Sequence, residues 1–190
     1  MRLDHIAYRV SDRRATAKFF QEAFGYKVQQ EFQLDFGEGK FADCIALEPP
    51  EKKVSGVPWV TESLQHIPIK EMGISMETFQ EYHLPPEIFV SDGNPGSIVG
   101  DWVAARGGIG GIHHIAYQVA DVEITMKQWQ YKGYAEFSSE EPIRCPGLTQ
   151  VFTKPSALTG IIYEFIERDK FGFCKENVKE LMLSTAEERK

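Results

Sequence analysis

Several common protein classes are excluded by what this chain has little of. It contains three cysteines, Cys44, Cys145 and Cys174, with no CxxC spacing between any of them. An odd, unspaced set is neither a disulfide framework nor a zinc-ribbon pattern, and free thiols in a reducing compartment are expected. There is no run of basic residues, and the net charge is −7. Nucleic acid is therefore not an expected partner. No apolar stretch approaches the roughly 20 residues that span a bilayer, so no membrane segment is expected. The N-terminus lacks a charged-then-apolar leader pattern, and a cytoplasmic location follows as the expectation. What remains is 190 residues, 42% of them hydrophobic. That is enough for one domain of good size or two small modules sharing a core.

The most informative feature is an internal repeat. "LDHIAYRVSD" (3–12) returns as "IHHIAYQVAD" (112–121). His5 falls on His114, Ala7 on Ala116, Tyr8 on Tyr117 and Asp12 on Asp121. Further on, Lys18 matches Lys127, Phe20 matches Trp129, and Gly25-Tyr26 matches Gly133-Tyr134 after a one-residue slip. Self-similarity of this length implies two copies of one structural unit. Of the adjacent pair His113-His114, only His114 is repeated.

Each copy opens with a period-two pattern. Ile6, Tyr8 and Val10 share one face of a strand, and His5, Ala7 and Arg9 share the other. The apolar face should pack against a helix. By the same alternation His113 should face the helix side, away from His114. A helical stripe follows in each copy, with Asp12 and Asp121 as caps and Gly25 and Gly133 near the ends. Further strands are expected over 26–33 and 41–47, and over 135–138, 149–153 and 161–166. Residues 97–108 read as a linking helix closed by glycines. Residues 49–86 are rich in proline and charge, with a short helical pattern at 77–83 and two surface histidines, His66 and His83. They read as an insertion. The expected organisation is thus a first module over 1–92 with that insertion, then a linking helix, a second module and a C-terminal helix over 93–190.

Chemistry is suggested by "GIIYEFIERD" (160–169). Glu164 sits in a continuous apolar run of the kind found in strands covered on both faces. A buried carboxylate needs a cation, a metal or a proton. Taken singly, Glu164 would pair with an arginine, and a lone strand histidine would be a satisfied core residue. Two histidines on equivalent faces of repeated strands change that balance. Two His and one carboxylate suit non-haem Fe(II), and also serve Zn, Mn, Co or Ni.

"DHIAYRV", "HHIAYQV" and "IIYEFIE", in this order, resemble the vicinal oxygen chelate superfamily, which includes glyoxalases, bleomycin-resistance proteins and dioxygenases. The resemblance implies an α+β fold: paired βαβββ modules forming a cupped mixed sheet around one divalent metal. It also implies that His5, His114 and Glu164 are the ligands. "QVFTKP" (150–155) and "GFCKENVKEL" (172–181) resemble the catalytic domain of 4-hydroxyphenylpyruvate dioxygenases. That likeness implies Fe(II), a small 2-oxo acid substrate, Gln150 in the substrate pocket and Phe173 over it. The chain is far shorter than those enzymes, and Cys174 stands where they usually carry glycine. The dioxygenase reading comes first; as the alternative, "LDHIAYRVSD", "GGIHHIAYQV" and "GLTQVFTKPSALTGIIYEF" also resemble methylmalonyl-CoA epimerases and glyoxalases. In that branch a fourth ligand is implied, for which Glu87 is the candidate, and a carboxylate would act as base. Asp35 and Glu38 are candidate acid/base groups if they face the cup, and surface charge if they do not. A metal-free, ligand-sequestering module is the third reading. Modules of this kind often pair across subunits, so a homodimer is expected.

Overall fold

The computed structural model describes residues 1–50, 85–168 and 172–186. The expected insertion, with its short helix, His66 and His83, lies almost wholly outside the described residues.

The first half runs β1 (Arg2–Val10), α1 (Arg13–Phe24), β2 (Lys27–Gly37), β3 (Lys40–Glu48) and β4 (Glu87–Gly93). A short helix α2 (Ile98–Ala104) leads to β5 (Gly110–Gln118), α3 (Val122–Tyr131), β6 (Ile143–Cys145), β7 (Leu148–Phe152) and β8 (Ile162–Arg168). Helix α4 (Lys175–Ser184) ends the described chain. All eight strands form one mixed sheet in the order β2-β3-β4-β1-β5-β8-β7-β6. Each half is a βαβββ unit whose first and last strands pair in parallel, β1 with β4 and β5 with β8. The two first strands pair antiparallel at the centre. The α+β sheet implied by the resemblance is therefore present. Leu47 pairs with Ile88, so the end of β3 and the start of β4 lie side by side on either side of residues 49–86.

The period-two patterns are used as anticipated. Ile6, Tyr8 and Val10 pack with Ala17 and Phe20 of α1. Tyr117 and Val119 pack with Val122, Met126 and Trp129 of α3. Asp12 accepts from the Ala15 amide at 2.9 Å and Asp121 from the Ile124 amide at 2.8 Å. These contacts satisfy amides that a helix start leaves open. The opposite face of the sheet is concave, and α4 covers it. Val178 and Met182 pack on Ala7 and Phe89 of the first half, and Leu181 packs on Phe152 and Ile162 of the second.

Two details depart from the sequence reading. The stretch 135–138 makes only an isolated bridge, Phe137 to Thr153. The strand at that edge is β6, hairpinned to β7 with Cys145 opposite Leu148. Pro146-Gly147, with Gly147 at φ +76°, forms the tight turn, and "CPGL" was the readable signal for it. The linking helix is also shorter than 97–108, because Gly107 and Gly108 take positive φ.

The entry to β5 depends on one glycine. A Cβ on Gly110 would lie 2.0 Å from the Arg9 carbonyl oxygen, at a φ of +86°. Gly108 has a similar φ of +81° with nothing within 4 Å. Gly108→Ala should cost only the left-handed strain, about 1–2 kcal/mol. Gly110→Ala should cost more, because β1 and β5 must also separate. Urea unfolding of the two variants checks this; equal shifts in midpoint would show that the close contact is relaxed without penalty.

Candidate metal centre

The site grows from the central pair of strands and β8. His5 on β1 and His114 on β5 point into the concave face, as does Glu164 on β8. All three are buried, with Glu164 only 1% exposed. Three separations define the cluster. His5 Nε2 is 3.2 Å from His114 Nε2. Glu164 Oε2 lies 3.2 Å from His5 Nε2 and 3.1 Å from His114 Nε2. Donors held at right angles on bonds of about 2.1–2.2 Å stand about 3.0–3.1 Å apart, and tetrahedral ones at about 2.0 Å stand about 3.3 Å apart. The triangle fits one face of a divalent transition-metal ion. These three are the group of metal-capable side chains found together among the described residues.

The electrostatics of the cluster without a cation follow from burial and proximity. Burial alone would pull His5 down, but Glu164 and Asp4 outweigh it and raise the imidazole to about 9. Burial would raise Glu164, yet His5 and His114 hold it well below the usual carboxylate range. His114 is lowered, first by burial and further by the charges of His5 and Arg9. A proton on His5 therefore occupies the role a cation would take.

A second layer of contacts fixes these side chains. Asp4 Oδ1 accepts from His5 Nδ1 at 2.8 Å. The Asp4 carboxylate is also gripped by Arg168, whose Nε and Nη2 donate at 3.1 and 2.9 Å. Arg168 Nη2 also donates to Glu87 Oε2 at 3.0 Å, and Nη1 donates to the Gly172 carbonyl at 3.3 Å. One guanidinium thus ties β1, β4 and β8 to the turn that carries Phe173. Gln150 donates from Nε2 to Glu164 Oε1 at 2.6 Å and accepts from Asn177 Nδ2 of α4 at 3.2 Å.

A pocket lies over the cluster. Its walls are mainly apolar: Phe89, Phe152, Phe173, Val178, Leu181 and Met182. Phe173 stands edge-on to His5 with centroids 5.0 Å apart and contacts Phe89 at 4.8 Å. Arg9, 2% exposed, and Ser91 add polar groups to the wall.

The structure brings together His5, His114, Glu164, Gln150 and Phe173. Gln150 lines the pocket, but its amide is spent on Glu164. Glu87 is buried beside this group without joining it: one oxygen meets Arg168, and Oε1 has no hydrogen-bond partner among the described residues. The register explains the difference. Glu164 pairs with Ala116, two residues beyond His114. The equivalent residue two beyond His5 is Ala7, and its partner on β4 is Phe89, while Glu87 pairs with His5 itself. The place symmetric to Glu164 is thus held by a phenyl ring. Asp35 and Glu38 do not face the cup. Both are exposed; Asp35 accepts from the Gly37 amide and Glu38 sits in the β2–β3 turn beside Lys40. Asp4, Arg9, Asn177 and Arg168 were not singled out from the sequence. His113 is turned the other way from expectation and lines the pocket with His114, because β5 bulges there.

Residues 4–147 match the model of the glyoxalase/bleomycin resistance protein/dioxygenase superfamily. No curated protein sequence matches the chain. Among solved structures, a mutant of 4-hydroxymandelate synthase from Streptomyces coelicolor superposes with a TM-score of 0.69 at 19% identity. The match covers 100% of this chain and 54% of that one, so this chain spans about half its length. A methylmalonyl-CoA epimerase gives 0.59 at 22% identity, covering 90% of this chain and 97% of the other. The epimerase from Mycobacterium tuberculosis gives 0.57 at 16%, covering 88% of each. At these identities the likeness speaks for the fold. No helix of the described residues is long and apolar enough to cross a membrane.

The raised His5 makes a pH-dependent prediction. Its folded-state value of about 9 lies above the ordinary 6.5. The stabilisation is therefore complete below about pH 6.5 and is lost as pH rises through about 9. Chelator-treated protein should melt at progressively lower temperature across that window. A divalent ion displaces the proton, so saturation with Zn(II) should remove this decline. A melting temperature independent of pH in chelator would contradict the coupling of His5 to Glu164.

Proposed function

Because the chain belongs to the glyoxalase/bleomycin resistance protein/dioxygenase superfamily, we propose that it is a metal-dependent enzyme that oxygenates a small 2-oxo acid. In this reading His5, His114 and Glu164 hold the cation, with Fe(II) favoured over Zn, Co, Mn or Ni. The observation that carries it is Phe89 in the position symmetric to Glu164. A phenyl ring cannot be a ligand, so the described residues supply three donors and leave three positions of an octahedral ion. A 2-oxo acid takes two through its carboxylate and keto oxygens, and O2 needs the third. A fourth protein ligand would leave two positions, and the 2-oxo acid would fill both, with none for O2.

A bound ferrous ion would supply the redox change for O2 and a template for the substrate's two oxygens. The chain's own residues do the rest. Gln150 of β7, steadied by Asn177 of α4, holds Glu164 in one orientation. Asp4 keeps the His5 proton on Nδ1, which leaves Nε2 free to ligate. Phe173, Val178, Leu181 and Met182 exclude bulk water and shape the pocket for a short, largely apolar tail. Enolate chemistry needs a base beside the substrate. Among the described residues lining the pocket the only carboxylate is Glu164, already committed to the histidines.

The test is oxygen uptake by anaerobically purified, Fe(II)-reconstituted protein on a panel of aliphatic and aryl 2-oxo acids. Uptake that requires both Fe(II) and one class of 2-oxo acid is expected, with CO2 released in step. No uptake, together with exchange of solvent deuterium into a carbon next to a carbonyl, would replace this reading with isomerase chemistry.

A further inference from the structure

The paired histidines of β5 carry a role that the ligand set leaves open. Resting on the metal-centre reading above, we propose that His113 is the positioning residue of His114, accepting on its own Nδ1 the proton that His114 carries on Nδ1 when Nε2 faces a metal.

Symmetry is the first support. In the repeat, the residue before His5 is Asp4 and the residue before His114 is His113. A regular strand would send both to the far side of the sheet, opposite their neighbours. Neither goes there. The β1–β5 ladder shifts register twice, between Leu3 and His5 and between Ala7 and Tyr8. The first shift makes Asp4 the extra residue on β1. In the second, Ala7 pairs with His114 and Tyr8 with Ile112, which makes His113 the extra residue on β5. A bulge re-aims side chains in this way. The two bulges are mates, and each folds the preceding residue onto the Nδ1 of its histidine. Asp4 Oδ1 lies 2.8 Å from His5 Nδ1, and His113 Nδ1 lies 2.8 Å from His114 Nδ1.

Tautomer chemistry is the second support. A neutral imidazole carries one proton. If His114 Nε2 gives its lone pair to a cation, the proton must sit on Nδ1, and the group 2.8 Å away must accept it. His113 can accept only with its own proton on Nε2. Its ring lies against Trp102 of α2 at 5.6 Å and Phe152 of β7 at 6.3 Å between centroids, and it is 5% exposed. An imidazole in place of a second aspartate adds no further buried negative charge beside Asp4, Glu87 and Glu164. The two ligand histidines thus have unlike partners, one anionic and one neutral.

Two substitutions separate acceptance from packing. His113→Gln keeps an acceptor oxygen and loses the ring. His113→Phe keeps an aromatic ring against Trp102 and loses the acceptor. Affinity for Co(II), measured by chelator competition, and the visible ligand-field spectrum are read together. Loss of an outer hydrogen-bond partner weakens metal binding by roughly 10–100-fold. That loss and a changed spectrum are expected for His113→Phe, with His113→Gln near wild type. Equal affinity in all three proteins, or a loss in the Gln variant equal to or larger than that in the Phe variant, overturns the proposal. Wild-type protein offers a check that needs no variant: ¹⁵N histidine NMR of the Zn(II)-loaded chain should show His114 protonated on Nδ1 and His113 on Nε2. A proton on His113 Nδ1 would also overturn it. Wild type that binds neither Co(II) nor Zn(II) would instead defeat the metal-centre reading itself.

Discussion

Glu164 lies on a strand whose neighbours Phe165 and Ile166 are fully buried, and its charge must be met from within the protein. Two imidazoles reach one oxygen and the Gln150 amide reaches the other. Removing any one of these would leave a buried carboxylate short of a partner, which costs several kcal/mol. Much of the architecture answers that requirement. The antiparallel join of β1 and β5 brings two histidines from distant parts of the chain within 3.2 Å, and the parallel pairing of β5 with β8 sets Glu164 between them. Helix α4 closes the cup and supplies Asn177 to steady the glutamine. A cation completes this arrangement more fully than the proton on His5 does, because it satisfies all three donors at once.

The second determinant is irregularity in the central ladder. A perfect β1–β5 ladder would place His5 and His114 well enough, but it would leave Asp4 and His113 on the helix-packed face as buried polar groups among apolar side chains. The two bulges bring both inward, where they meet the Nδ1 atoms of His5 and His114. Arg168 then joins Asp4 to Glu87 and to the turn before Phe173. The closing turn, the β4 carboxylate and the partner of His5 consequently form one charged network. This network accounts for Glu87: its charge serves Arg168, and the pocket position symmetric to Glu164 is left apolar by Phe89.

Much of this was legible in the sequence. The repeat announced two equivalent units, and period-two alternation assigned the faces of β1 and the packing of α1 and α3. The apolar setting of Glu164 marked it as needing partners. Resemblance to known modules supplied the C-terminal Gln150 and Phe173. Register was not legible. Alternation placed His113 on the helix side because a one-residue bulge leaves no composition signal of its own, although Gly110 and Gly111 before it mark a strained entry. The same limit applied to Glu87, whose identity fitted a ligand while its position, two residues from the symmetric place, did not. Arg168 and Asp4 carried no signal of their own, because only the sheet brings them together from opposite ends of the chain.

The central claim is that His5, His114 and Glu164 jointly hold one divalent ion. Its most direct test is an anaerobic titration with Fe(II) or Co(II) against a competing chelator, comparing wild type with His114→Ala and Glu164→Gln, each verified as folded by circular dichroism. One ion per chain is predicted for wild type. Affinity should fall at least as far in both variants as the roughly 100-fold upper range for outer hydrogen-bond partners. Folded variants that bind the ion as tightly as wild type would contradict the account.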